Sequence, residues 1–139
     1  MWSQVLLLFQ CWIINTLSGY FLESRVPVPH PDLVFPQVGE NEVGYTDPFL
    51  IIRNILSICM VLLQNGVSNI MVGALVPRLS PRHVSISQYT RRIRYINLHL
   101  NQALINMPRV SFHGLVGFCP RYLHADGVHF NSRGQRWFM

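Results

Sequence analysis

Two residues near the C-terminus have the types and spacing for proton transfer: Asp126 and His129, in Asp126-Gly127-Val128-His129. An imidazole that acts as general base needs an acceptor at its other ring nitrogen to fix its tautomer and orientation. An aspartate three residues earlier can curl back to supply that acceptor if the intervening chain is tight, and Gly127 permits such a path. The same Asp and His could instead satisfy only the hydrogen bonds of a turn. His124 beside them raises metal ligation, but no fourth ligand stands at a diagnostic spacing, so no metal site is expected.

A second polar stretch, Gly39-Glu40-Asn41-Glu42, follows an apolar run from Asp32 to Val38 that reads as a strand, although Pro36 conflicts with a central position in a sheet. Thr46 or Asp47 can then cap a helix with Pro48 at its first position and Gly66 past its end. Ile51, Ile52, Ile55, Leu56, Cys59, Leu62 and Leu63 give that helix a broad buried face. The nearly continuous apolar run from Val67 to Val76 suits a parallel strand covered on both sides.

Ser85-Ile86-Ser87-Gln88 has capping-box spacing, and the helix it opens runs to about Ile105, with Ile86, Tyr89, Ile93, Ile96, Leu100 and Ala103 on one stripe. Pro108 stops it. Arg109 to Phe112 reads as a short strand, Gly114 to Asn131 as a turn-rich loop, and Gln135 to Met139 as the start of a last helix. Alternating strands and amphipathic helices predict an α/β fold, three-layer α/β/α with a mostly parallel sheet of flavodoxin-like type, though an incomplete one. Sites in such folds gather at the carboxyl ends of the strands, and both polar stretches lie there.

With these elements placed, residues 32 to 139 resemble the SGNH (GDSL-type) hydrolase superfamily. Gly39-Glu40-Asn41-Glu42 is similar to its third block, Gly-x-Asn-Asp, with Glu in place of the last Asp. Asp126-Gly127-Val128-His129 is similar to its fifth, Asp-x-x-His, and Asn131 and Gly134 resemble the approach to its final helix. The resemblance implies that His129 is the base, Asp126 its orienter and Asn41, with Gly39, part of an oxyanion hole. It implies an ester-type small-molecule or glycan substrate and no cofactor. The family's Gly-Asp-Ser block does not occur upstream of Gly39. Ser18, followed by Gly19, lies too close to Gly39 to leave room for the helix and strand that should intervene, and Ser24 is closer still. The expectation is therefore an esterase or acyl-hydrolase-like domain that keeps the Asp–His pair without its serine. The alternative is a non-catalytic fragment or pseudoenzyme that acts as a binding module.

Composition narrows the classes further. The 139 residues are half hydrophobic and only 12% charged, which excludes a disordered tail. The net charge of +5 comes from eleven arginines and no lysine, and only Arg91, Arg92 and Arg94 cluster. That is too sparse for a nucleic-acid footprint. Cys11, Cys59 and Cys119 are isolated in apolar surroundings and read as reduced core residues. His30, His83, His99 and His113 are dispersed and expected at surfaces or in loops. Tyr89, Tyr95, Trp137 and Phe138 are expected to pack in the core or against helices.

Residues 1 to 31 stand apart as an apolar segment followed by a proline-rich linker, densest from Pro27 to Pro31. Residues 1 to 21 could be a signal peptide or a membrane anchor, making the protein secreted or membrane-associated. No Lys or Arg precedes the apolar run, however, and Gln10 and Asn15 interrupt it, so a buried strand or helix is the competing expectation.

Overall fold

The computed structural model describes residues 5 to 8 and 32 to 138. The readings made for residues 9 to 31, including the proline-rich run, Cys11, Ser18 and Ser24, lie outside the described residues. Among the described residues four parallel strands form one sheet in chain order: β1 (Val5–Leu8), β2 (Leu33–Pro36), β3 (Asn69–Gly73) and β4 (Val110–His113). Helix α1 (Pro48–Gln64) connects β2 to β3, and α2 (Ile86–Leu104) connects β3 to β4. A short last helix, α3 (Ser132–Phe138), follows a long loop.

Both long helices begin and end for local reasons. Of the two candidate caps before Pro48 it is Asp47 that acts, its carboxylate accepting from Phe49 N–H at 2.7 Å. At the other end Gly66 takes φ 88°, and the N–H groups of Gly66 and Val67 close on the carbonyls of Leu63 and Leu62. This pair of bonds is a Schellman stop, which glycine's freedom at positive φ makes possible. In α2 the capping box forms in both directions: Ser85 Oγ accepts from Gln88 N–H at 3.2 Å, and Gln88 Oε1 accepts from Ser85 N–H at 3.1 Å.

Successive strand residues point to opposite faces, and β2 shows what each face meets. Val34 is buried in a cluster with Ile51, Ile55 and Leu62 of α1, Ile93, Ile96 and Leu100 of α2, and Ile70, Val72 and Val110 of the neighbouring strands. Phe35 points the other way, its ring edge-on to Phe138 of α3 at 5.5 Å. His113 lies 5.3 Å from the same ring, so it is a half-buried strand residue and not a loop residue. Among the described residues the result is an α/β/α arrangement, with α1 and α2 on one face and the short α3 on the other.

Several elements are shorter than the sequence suggests. β3 stops at Gly73 although the apolar run continues to Val76, because the side chain of Asn97 on α2 replaces a strand neighbour. It accepts from Leu75 N–H at 2.8 Å and donates to the Leu75 carbonyl at 3.0 Å. β2 ends at Pro36, beyond its last pair with β3 at Val34 and Ile70, where the missing N–H breaks no bond to that neighbour. Ile86, expected on the buried stripe, is exposed in the first turn of α2. α3 starts at Ser132, earlier than expected, because Asn131 Oδ1 accepts from Gly134 N–H at 2.9 Å and so caps it.

Burial separates the positions of α2 that hold this core from those that do not. Ile96 is fully buried, whereas Leu98 is 55% exposed. Ile96→Ala is expected to cost about 2–5 kcal/mol in urea unfolding, against less than about 1 kcal/mol for Leu98→Ala. Equal effects would contradict the packing described.

Candidate functional site

Three loops leave the carboxyl ends of β2, β3 and β4 and meet above the sheet. In the first, Gln37 and Glu40 are fully buried and hydrogen-bonded to each other, Gln37 Nε2 to Glu40 Oε1. Gln37 Nε2 also donates to the Ala74 carbonyl at 2.8 Å, and Val76 N–H donates to Glu40 Oε1 at 3.4 Å. These bonds fasten the first loop to the second. Gly39 turns the chain at φ 105°, where a Cβ would press on Ile51 and Ile55 of α1. Farther on, Gly44 abuts the second loop so closely that a Cβ would lie 2.3 Å from the Arg82 carbonyl oxygen.

Asn41 follows the buried pair and is exposed. Its Oδ1 accepts from Arg78 Nη2 at 2.7 Å. That bond uses the carbonyl end of the amide and turns the donor end, Nδ2, away from Arg78. Tyr89, buried on α2, donates its hydroxyl to the Glu40 carbonyl at 3.1 Å. Burial pushes the tyrosine hydroxyl well above its usual range.

The third loop holds the acid–base pair. Asp126 Oδ2 lies 2.7 Å from His129 Nδ1, and Asp126 Oδ1 accepts from Val128 N–H at 2.9 Å and from His129 N–H at 3.1 Å. Gly127 takes φ 68° at the apex, where a Cβ would come within 2.8 Å of Leu79 Cβ. Leu79 N–H donates to the Gly127 carbonyl at 2.9 Å, fixing the third loop to the second. His124 and His129 close the loop's base through a backbone bond of 2.8 Å, and Leu123 bridges to Phe130. Asn131 ties the end of the loop down, its Nδ2 donating to the carbonyls of Arg121 and Leu123. A Cβ on Gly134 would sit 2.2 Å from the Tyr122 carbonyl oxygen, so α3 can approach only at a glycine.

These loops enclose a cavity of about 610 Å³ lined by Asn41, Asp126 and His129 together with Glu40, Arg78 and Arg82. The sequence-based site residues Asn41, Asp126 and His129 thus share one wall-to-wall space. Gly39 does not line it and acts through the turn it permits. Arg78, buried and bonded to Asn41, was missed; a lone arginine after a strand gives no signal until the fold places it. Asp126 and His129 are each about half exposed on their side chains. Such a pair can pass a proton to and from a ligand in the cavity, with the carboxylate holding Nδ1 and leaving Nε2 as the working nitrogen.

The acidic groups of the site are displaced in opposite directions. The hydrogen bond from His129, then those from the Val128 and His129 amides, hold Asp126 far below the usual carboxylate range. Burial pushes Glu40 upward against the hydrogen bonds and the Arg78 charge that favour its anion, and burial raises Glu42 as well. One carboxylate oxygen of each glutamate, Oε2, is buried without a hydrogen-bond partner, which disfavours the charged form. Cys59 is buried in the core and its thiol is pushed up to about 12 by burial, so it is inert. Cys119 is only half-buried, in the third loop, and so is not the core residue expected. Among the described residues, no group of three His, Cys, Asp or Glu side chains is placed to hold a metal ion. No helix among them is long and apolar enough to cross a membrane.

Two pH dependences follow, of opposite sign. Asp126 is depressed in the folded state, so its contribution is present above the ordinary value of 3.8 and is lost as pH falls below it. Asp126→Asn is expected to flatten the acid limb of a stability–pH curve, and an unchanged limb would contradict the pairing. Glu40 is raised in the folded state, so its contribution is lost as pH rises above the ordinary value of 4.5. Glu40→Gln should therefore gain stability relative to the parent as pH rises above 4.5, read in parallel thermal melts, and no relative gain would contradict the buried carboxyl.

The sequence matches no family model and no curated protein in the comparisons made with it.

Proposed function

We propose that the sheet and the loops at its carboxyl edge form an SGNH-type acyl-hydrolase-like domain in which His129 is the general base, Asp126 its orienter and Asn41 the oxyanion donor. The observation that supports this reading is the single cavity lined by Asn41 from the loop after β2 and by Asp126 and His129 from the loop after β4. The sequence carries no Gly-Asp-Ser block, so the route that fits these residues is direct attack by water on an ester carbonyl. His129 Nε2 takes a proton from the attacking water, and the imidazolium is held by the Asp126 carboxylate. The carbonyl oxygen becomes the oxyanion and accepts from Asn41 Nδ2. Collapse of the tetrahedral intermediate breaks the bond to the alkoxide, which takes the proton from His129 and leaves as the alcohol beside a carboxylic acid. Without an acyl-enzyme this route is slow.

A second reading is a domain that keeps the cavity for binding and has no turnover. The lining of the cavity by Arg78 and Arg82 beside the Asp126–His129 pair favours it. The two separate on hydrolysis of p-nitrophenyl acetate. The hydrolytic reading expects a slow rate above buffer that falls to the buffer level in His129→Ala and drops on the order of 10²–10³-fold in Asn41→Ala. A rate indifferent to His129 would overturn it.

A further inference from the structure

The charges around the cavity are not balanced. Its acidic residues are Glu40 and Asp126. Glu40 is fully buried, and Asp126 is already engaged by the His129 ring and two backbone amides. Against these stand Arg78 and Arg82, with the His83 ring beside them in the lining. Among the described residues, neither arginine has a carboxylate within ion-pair distance.

The wall that carries Arg82 and His83 is built rigidly. Pro81 restricts the backbone before Arg82, and the Arg82 carbonyl is pinned under Gly44. His83 holds φ 69°, a left-handed conformation costly for a residue with a side chain, and its ring stands edge-on to Tyr45 at 5.8 Å.

We propose that Arg82 and His83, with Arg78 beside them, form an anion-recognition subsite of the cavity, so that its ligand carries a phosphate or carboxylate group. The ester in such a ligand rests on the acyl-hydrolase reading above; the anionic group does not. A planar guanidinium on a fixed loop suits the oxygens of either anion, and charge-assisted bonds of this kind carry much of the selectivity of small-molecule sites.

The test is calorimetric titration of the full chain with glycerol 3-phosphate and, separately, with glycerol. Binding of the phosphate and not of glycerol is expected, weaker at high salt and about tenfold weaker in Arg82→Gln. Arg53→Gln, exposed on α1 outside the cavity lining, should bind as the parent does. Equal behaviour of glycerol and its phosphate, or full affinity in a folded Arg82→Gln, would overturn the subsite. Co-sedimentation with phosphatidic acid vesicles, dependent on Arg82 and absent with phosphatidylcholine, would assign the anion to a lipid headgroup. Phosphate binding without co-sedimentation would assign it to a soluble ligand. Loss of p-nitrophenyl acetate turnover with phosphate binding intact would remove the hydrolytic reading alone, and the converse would remove the subsite alone.

Discussion

Leu79 donates its backbone N–H to the carbonyl of Gly127, and the geometry of the site depends on that 2.9 Å bond more than on any other single contact. The loop after β3, of which Leu79 is part, is the hub. It receives the first loop through Gln37 and Ala74, through Glu40 and Val76, and through Arg78 and Asn41. It receives the third through Leu79 and Gly127. Among the described residues no hydrogen bond joins the two polar stretches singled out in the sequence, Gly39 to Glu42 and Asp126 to His129, to each other. They face one cavity because the middle loop holds both.

That arrangement explains why small residues recur where the chain comes closest to itself. Gly127 needs both a positive φ and a bare Cα against Leu79, and Gly44 needs only the bare Cα against Arg82. It also explains a buried polar layer in an otherwise apolar chain. Gln37, Glu40 and Arg78 are buried where the parallel strands end and the sheet can no longer supply backbone partners to the loops. The side chains of Gln37 and Glu40 supply partners to the Ala74 carbonyl and the Val76 N–H instead, and Arg78 bonds the side chain of Asn41. The cost is two glutamates, Glu40 and Glu42, whose burial disfavours ionisation.

The helices were the most legible part of the fold. Pro48, Gly66, Ser85 and Gln88 mark their ends by mechanisms that act within a few residues, and the apolar spacing between them survives in the core. The Asp126–His129 pair was legible for the same reason, since its hydrogen bonds span only three residues. What the sequence hid depends on distant contacts. Asn97 ends β3 from α2, and Arg78 grips Asn41 across thirty-seven positions of chain. Ile86 is exposed because it stands in the first turn, at the margin of the stripe its spacing belongs to. The α/β class followed from periodicity alone, while the joint placement of the two loops needed the sheet.

The central claim is that the Asn41 loop and the Asp126–His129 loop form one ligand site. Phenylboronic acid, which becomes tetrahedral on adding hydroxide and so imitates the intermediate of ester hydrolysis, tests it directly. In a titration followed by nuclear magnetic resonance, the Asn41 side-chain amide and the His129 ring are expected to shift together with one saturation curve. Shifts confined to one loop, or two curves with different midpoints, would contradict a shared site.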